Sequence, residues 1–300
     1  MKKLLVLLLL AAQPCLAFAQ SGRAHLSERI DTTNLNLKTL GEQITAEDGT
    51  DYRKASSLLN WVSNRLEWMA TDYQRRSVKE ILERGGGNCY DLAQVYVEIV
   101  KAMNIKTRSI AEINLSRLNP GRQERAAQMV TEKGARASVF GARHNDHRWL
   151  EVYDETTGTW LPVDPTMNVI GVEQWVKARL GFEKRITIDP AISDDMIAPF
   201  AVFVTGDRKD LMAEDRSVYY MVDQFDQVYN KELSGLPSWS KWVAAITSLS
   251  GRAKSAFEDK ENLHLYNKQI AELDAIYQAL KTEYLHLQAK KGNGNPDVKA

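Results

Sequence analysis

The feature that most constrains the fold is a run of three glycines, Gly85 to Gly87, followed within two residues by an amphipathic helix. Glycines at such a position let the chain turn sharply and let another backbone approach closely. The helix is predicted to begin at Cys89 by apolar residues at helical spacing, namely Leu92, Val95, Ile99 and Met103. Cys89 therefore opens the helix, where unpaired N–H groups and the helix dipole favour a thiolate. The same N–H groups are candidate oxyanion donors for acyl transfer.

The chain has one other cysteine, Cys15, which lies in a segment with the features of a secretory signal peptide. Two lysines precede the apolar run 4–10, and small residues follow at 17–19. We predict that residues 1–20 are removed on export, to the periplasm in a Gram-negative cell and otherwise to the medium; a retained anchor is the alternative. Exported proteins usually pair their cysteines. Cys89, left alone, is a buried small hydrophobe, an intermolecular half-cystine or a reactive thiol, and its polar neighbours favour the last.

The balance of charge argues against two classes of partner. The chain has 39 basic and 39 acidic residues, and loss of the two leader lysines leaves 37 against 39. Such a balance does not attract nucleic acid or an anionic membrane surface. No other stretch approaches the roughly 18 apolar residues of a transmembrane helix. We therefore expect no nucleic-acid partner and no stable membrane insertion.

A predicted β-hairpin supplies a base for the thiol. Strands are predicted at 147–153 and 159–163, joined by a turn at 154–158. Pairing about a centre at 155–156 places His147 opposite Asp164 to within one residue. Directly opposed side chains have Cβ atoms about 5 Å apart, so Asp164 can accept from one imidazole nitrogen and leave the other for a thiol. This is the arrangement of nucleophile, base and orienting carboxylate that activates a weak nucleophile.

Two other kinds of site have little support in the sequence. His144 and His147, with Asp146 between them, form a weak zinc pattern because no further cysteine or obvious third histidine accompanies them. The glycine triplet lacks the spacing of phosphate-binding loops. We expect neither a metal nor a cofactor.

Three segments resemble blocks of the transglutaminase-like superfamily, in the family's order. They are RGGGNCYDLAQVYVEIVKAMN at 84–104, HRWLEVY at 147–153 and WLPVDPT at 160–166. The resemblance covers about residues 51–170. It implies an α+β, papain-like core in which the helix carrying the cysteine packs on an antiparallel sheet, with Cys89, His147 and Asp164 as a catalytic triad. It further implies attack on an amide through a Cys thioester, by a peptidase, amidase or transamidase acting on a protein or peptide. A cell-wall peptide is one candidate.

The resemblance also implies an oxyanion-stabilising side chain before the cysteine block, for which Tyr73 and Gln74 are candidates. The polar stretch 115–145 lengthens the separation between the cysteine and the histidine to 58 residues. Its excess of basic residues indicates either a carboxylate-bearing substrate or a solvated loop. Arg143 in this stretch and Trp149 after it are candidate substrate-binding residues.

We divide the chain into a signal peptide (1–20), an N-terminal arm (21–50), a transglutaminase-like catalytic domain (51–212), a C-terminal helical region (213–290) and a disordered tail (291–300). Further helices are expected at 54–69, 76–84 and 172–180, and strands at 105–113, 182–188 and 199–204.

Within the helical region, the sequence predicts a helix with Val218 on its apolar face and a second helix that ends near Gly251. A third has apolar residues three and four apart from Leu263 to Leu287, a heptad seam. The seam either packs on the 216–230 helix of the same chain or forms a homodimer through the 260–288 helix. A non-catalytic binding or assembly module that uses these helices for a partner is the alternative to an enzyme.

Overall fold

The computed structural model describes residues 32–69, 74–115, 128, 131–132, 146–182, 198–205, 214–258 and 260–293. The N-terminal helices are α1 (Leu37–Ile44), α2 (Asp51–Arg65), α3 (Val78–Arg84) and α4 (Cys89–Ala102). The short strands β1 (Glu67–Trp68) and β2 (Gly86–Gly87) pair in parallel. The helices after the main sheet begins are α5 (Val172–Leu180), a π-helix (Tyr219–Gln224) continuing into α6 (Phe225–Val228), α7 (Trp239–Phe257) and α8 (Asn267–Asn293).

The main sheet has six strands, all paired antiparallel, in the order β6-β5-β4-β3-β7-β8. The strands are β3 (Thr107–Asn114), β4 (His147–Asp154), β5 (Thr159–Asp164), β6 (Val169–Ile170), β7 (Pro199–Thr205) and β8 (Glu214–Asp215). Strand β4, which begins at His147, therefore lies in the interior of the sheet.

The sheet separates two apolar cores. On one face, Leu150, Val152 and Val163 pack with α2 and α4. On the other face, Ile110 and Trp149 pack with α5, the π-helix and the C-terminal helices. Alternate residues of β4 thus enter different cores, as the two-residue period of a strand requires. The predicted α+β class is confirmed: helices pack on an antiparallel sheet, and further helices follow toward the C-terminus.

The C-terminal region differs from the sequence prediction in two places. Helix α7 continues through Gly251 to Phe257, because its apolar face continues in Ala253 and Phe257, which are buried. Burial of these side chains outweighs the roughly 1 kcal/mol that a glycine costs inside a helix. The preceding helix begins as a π-helix, whose wider turn shifts the buried face. Val218 is consequently 38% exposed, whereas Tyr220 is fully buried.

The heptad seam of α8 is filled from within the chain. Its buried residues, together with Leu263 before the helix, are Ile270, Leu273, Tyr277 and Leu280. The helix packs mainly on α7, and it meets the end of the 216–230 segment where the Tyr284 and Tyr229 rings lie 4.9 Å apart. The Tyr277 hydroxyl donates to the carbonyl of Leu180 at 3.0 Å, which ties α8 to α5. A homodimer through 260–288 stays a prediction, and it would have to use side chains outside this seam.

Several predictions fall outside the described residues: the leader at 1–20, nearly all of the strand at 182–188, the last residues of the tail, residues 21–31 of the arm and most of the stretch 115–145. The helix at 172–180 and the strand at 199–204 are present as α5 and β7. None of the described helices is both long enough and apolar enough to cross a membrane.

Candidate functional site

Cys89 is the first residue of α4, and the residues on either side of it hold the turn closed. The Asn88 side chain accepts from the backbone N–H groups of Tyr90 and Asp91, at 2.9 and 3.1 Å. The Asp91 carboxylate in turn accepts from the N–H of Asn88 at 3.3 Å, which completes a capping box. The N–H groups of Tyr90 and Asp91 therefore have an acceptor within the turn, and the expectation that N–H groups at this end of α4 serve as oxyanion donors stays a prediction.

The glycines before Cys89 are required by close approach. A Cβ on Gly86 would lie 2.1 Å from the carbonyl oxygen of Glu67, its partner in the β1–β2 pair. A Cβ on Gly87 would lie 2.2 Å from the Asp91 carboxylate. Only a residue without a side chain lets β2 pair with β1 while Asp91 caps α4. The glycine run thus fixes the direction in which Cys89 leaves the turn.

The β4–β5 hairpin brings His147 and Asp164 together by a register other than the one predicted. Leu150 pairs with Val163, so Asp164 lies opposite Trp149, two residues from His147. The turn is centred one residue later than expected, because Gly158 takes a positive φ of 69° and donates its N–H to the carbonyl of Asp154. A shift of two residues keeps the same face of the sheet.

Asp164 is consequently a diagonal neighbour of His147, and diagonal pairs remain within reach of long side chains. The distance between Nε2 of His147 and Oδ2 of Asp164 is 2.7 Å. The other carboxylate oxygen of Asp164 accepts from the backbone N–H of Thr166 at 3.0 Å. Both carboxylate oxygens are thus engaged, and the carboxylate is held in one orientation.

His147 also forms a hydrogen bond with the Cys89 side chain, so the ring joins the carboxylate to the thiol. Since Asp164 occupies Nε2, Nδ1 is the nitrogen left for the thiol. Burial by itself lowers the pKa of His147, but the charge and hydrogen bond of Asp164, followed by those of Cys89, raise that pKa to about 10. The imidazole is therefore held as a cation between two groups that carry or can acquire negative charge.

A buried ion pair that the sequence analysis missed lies behind His147. Glu112 is paired directly with His147 across β3 and β4, and both Glu112 and Arg179 of α5 are fully buried. The Arg179 guanidinium forms a salt bridge with Glu112 and contacts the Asn114 side chain at 3.4 Å. Burial raises the pKa of Glu112, against the charges of Arg179 and His147, which lower it. A glutamate in the otherwise apolar segment 110–113 was the only sequence signal of this pair.

Trp149, a candidate substrate-binding residue, has a fully buried side chain. Its indole N–H donates to Oε2 of Glu112 at 2.8 Å. Its ring packs against Trp175 and Tyr220, with centroid distances of 4.8 and 5.4 Å. The Trp149 side chain thus supports the residues beneath His147, and its role in substrate binding stays a prediction.

The remaining predicted site residues stay predictions. Tyr73 and Arg143 lie outside the described residues, as does His144. Gln74 is exposed on the segment that leads to α3, and its oxyanion role stays a prediction. Within the described residues, no cluster of three histidine, cysteine or acidic residues could hold a metal ion.

Comparison with known proteins bears on the family and the fold. Residues 38–165, which include Cys89, His147 and Asp164, match the sequence model of the Transglutaminase-like superfamily. The predicted resemblance is thereby confirmed over that range. No curated protein matches the chain.

Three solved structures show a partial likeness. A candidate cysteine protease from Cytophaga hutchinsonii is 18% identical, with a TM-score of 0.32 over 47% of this chain and 46% of that one. A candidate protease from Parabacteroides distasonis is 15% identical, with a TM-score of 0.30 over 43% and 22%. Rad4–Rad23 bound to a 6-4 photoproduct UV lesion is 13% identical, with a TM-score of 0.34 over 87% and 54%. The chain thus spans about half or less of each, and at these TM-scores no functional conclusion is drawn from them.

Proposed function

We propose that this protein, whose residues 38–165 form a transglutaminase-like core, is an exported cysteine enzyme that cleaves or transfers an amide acyl group. The observation that supports this most is the continuous set of contacts from Cys89 through the His147 ring to Asp164, with 2.7 Å between His147 and Asp164. A half-exposed thiol beside a buried, oriented imidazole meets the geometric requirement for an activated nucleophile. Export rests on the leader at 1–20.

The proposed reaction follows from these contacts. His147 takes the proton of the Cys89 thiol through Nδ1, and the thiolate attacks the carbonyl carbon of the amide. The tetrahedral intermediate collapses as the imidazolium protonates the departing amine, which leaves a thioester on Cys89. Asp164 keeps the ring oriented and stabilises the imidazolium throughout.

The acyl acceptor decides the product. Water, deprotonated by His147, attacks the thioester to give an acid and the free thiol, which is the reaction of a peptidase or amidase. A primary amine gives a new amide, which is the reaction of a transamidase. Incubation with peptidoglycan and peptide libraries, with and without a primary amine, distinguishes the two by the masses of the products.

The pH dependence of Cys89 alkylation tests the proposal. An unperturbed thiol, with a pKa of about 8.5, is about 0.3% thiolate at pH 6. We expect iodoacetamide to label Cys89 at pH 6 within about threefold of its plateau rate, because the His147 imidazolium stabilises the thiolate. The plateau should extend upward until His147 loses its proton near pH 10. The measurement is the labelling rate from pH 4 to 10.

Asp164→Asn removes the group that does most to raise the pKa of His147. The plateau of the labelling rate should therefore shrink at both ends of its pH range. Its upper end should fall below pH 10, and labelling at pH 6 should slow by at least about tenfold. Asp223→Asn, the same charge change at an exposed position, serves as the control. A wild-type rate that simply follows a pKa of about 8.5 contradicts the enzyme and favours the non-catalytic binding module.

A further inference from the structure

A groove opens beside Cys89, between α4 and strands β3 and β4. Its cavity volume is about 200 Å³, enough for roughly six waters or one amino-acid side chain. Its lining includes Tyr90, Ala93 and Val97 along α4, Arg148 and Leu150 on β4, and Lys101 at the far end. Tyr90 directly follows Cys89 in α4, so the Tyr90 end of the groove is the end nearer the nucleophile.

Arg148 is held at this end of the groove. It follows His147 in β4, and its guanidinium lies 5.5 Å from the centre of the Tyr90 ring. One nitrogen, Nη1, donates to the Thr205 hydroxyl at 2.8 Å. Burial lowers the pKa of Arg148, and the charges of Tyr90 and Cys89 oppose that shift, while Arg75 adds to it. The guanidinium nevertheless stays protonated at neutral pH, so a fixed positive charge stands next to the thiol.

Arg148 differs from other buried or half-buried arginines in its partner. Arg76, Arg108, Arg179 and Arg216 each form a salt bridge with a buried carboxylate. Among the described residues, Arg148 has a neutral hydroxyl as its hydrogen-bond partner and forms no salt bridge. A guanidinium carries five N–H donors in a planar fork that suits a carboxylate. Arg148 therefore presents a charge that no carboxylate of the described residues neutralises through a salt bridge.

We propose that Arg148 binds a carboxylate of the substrate next to the amide that Cys89 attacks. This proposal rests on the proposed function and names its substrate class: amides with a carboxylate on the residue at the Tyr90 end of the groove. Glu98 lines the same groove but lies eight residues along α4 from Tyr90, about 12 Å away. Its charge therefore disfavours a carboxylate at the far end only. The carboxylate can come from an acidic side chain or from a free chain terminus.

Three iodoacetyl probes that differ in one charge test the proposal without knowledge of the substrate. Iodoacetyl-glutamine amide is neutral, iodoacetyl-glutamate amide carries a side-chain carboxylate, and iodoacetyl-glutamine carries a terminal one. We expect at least one charged probe to alkylate Cys89 about tenfold faster than the neutral probe, since a charge-assisted pair is worth that much. The charged probe that gains identifies the source of the carboxylate.

Arg148→Gln should remove the preference, which is read as the ratio of the charged-probe rate to the neutral-probe rate, because that ratio cancels any change in the fraction of thiolate. Arg148→Lys should keep part of the preference for the charged probe, since lysine retains the positive charge but lacks the planar set of guanidinium donors. Lys101→Gln, the same charge change roughly 16 Å along α4 from Tyr90, should keep all of it.

The possible failures are distinguishable. If no probe labels Cys89 faster than a free thiol at pH 6, the proposed function itself is wrong. If all three label it rapidly at one rate, the activated thiol stands and carboxylate recognition is overturned. Recognition is also overturned if Lys101→Gln lowers the ratio as much as Arg148→Gln, because a diffuse field would then account for the preference.

Discussion

Cys89→Ala is expected to abolish amide turnover, by at least about 10⁴-fold, while the fold stays intact. The loss is this large because the proposed covalent intermediate forms on the Cys89 sulfur. The fold should survive because Cys89 is half-exposed and the turn is held by Asn88 and Asp91. Since the mature chain is predicted to contain no other cysteine, the mass of the iodoacetamide-treated protein should show one adduct in the wild type and none in the variant.

His147→Ala should cost nearly as much, because nucleophile and base act as a unit. Its control is His286→Ala, which changes an exposed histidine on α8 and should leave turnover unchanged. Circular dichroism and urea unfolding establish that each variant is folded. Wild-type turnover in folded Cys89→Ala would show that the reaction does not pass through this thiol.

Arg179→Met is expected to lower the free energy of unfolding by about 3–5 kcal/mol. The reason is that Glu112 and Arg179 both have fully buried side chains, so removal of the guanidinium leaves a carboxylate without its charge partner. Arg252→Met is the control, because Arg252 is 55% exposed and its pair with Glu261 is worth under about 1 kcal/mol. Urea unfolding at fixed pH measures both.

The loss of unfolding free energy in Arg179→Met should grow as pH rises. The pKa of Glu112 is already raised above 4.5 by burial, and loss of Arg179 raises it further. The folded variant therefore keeps a proton to a higher pH than the folded wild type does, so its stability relative to the wild type falls as pH rises above the raised pKa of Glu112 in the wild type. Adding Glu112→Gln should recover most of the loss, since an amide still accepts from Trp149. An equal loss at pH 5 and pH 8, or no recovery, would contradict this account.

The sequence predicted those parts of the site that local patterns determine. The helix from Cys89 follows from apolar spacing and from the glycines before it. The pairing of His147 with Asp164 was predicted on the correct face although the register was wrong by two residues. The residues of the β4–β5 turn are compatible with several loop geometries, each of which gives a different register. The positive φ of Gly158 selects the one that is observed.

Contacts between distant segments could not be predicted in this way. Glu112 and Arg179 are 67 residues apart and lie on a strand and a helix whose packing no periodicity specifies. Trp149 belongs to a recognisable segment, but its complete burial depends on Trp175 and Tyr220. Arg148 forms no salt bridge with any described residue, and a sequence does not reveal which arginines lack a carboxylate partner in the fold.

The tie between Tyr277 and Leu180 bears on the order in which the molecule assembles. The two residues are 97 positions apart, whereas β4 and β5 are joined by a four-residue turn. Closing a long loop costs more entropy than closing a short one, so the hairpin can form well before α8 docks. During synthesis from the N-terminus, the hairpin would already hold His147 and Asp164 near each other while α5, which carries Arg179, was not yet covered by α8. The buried pair of Glu112 and Arg179 beneath His147 is therefore expected to be sealed last, when α8 docks on α5.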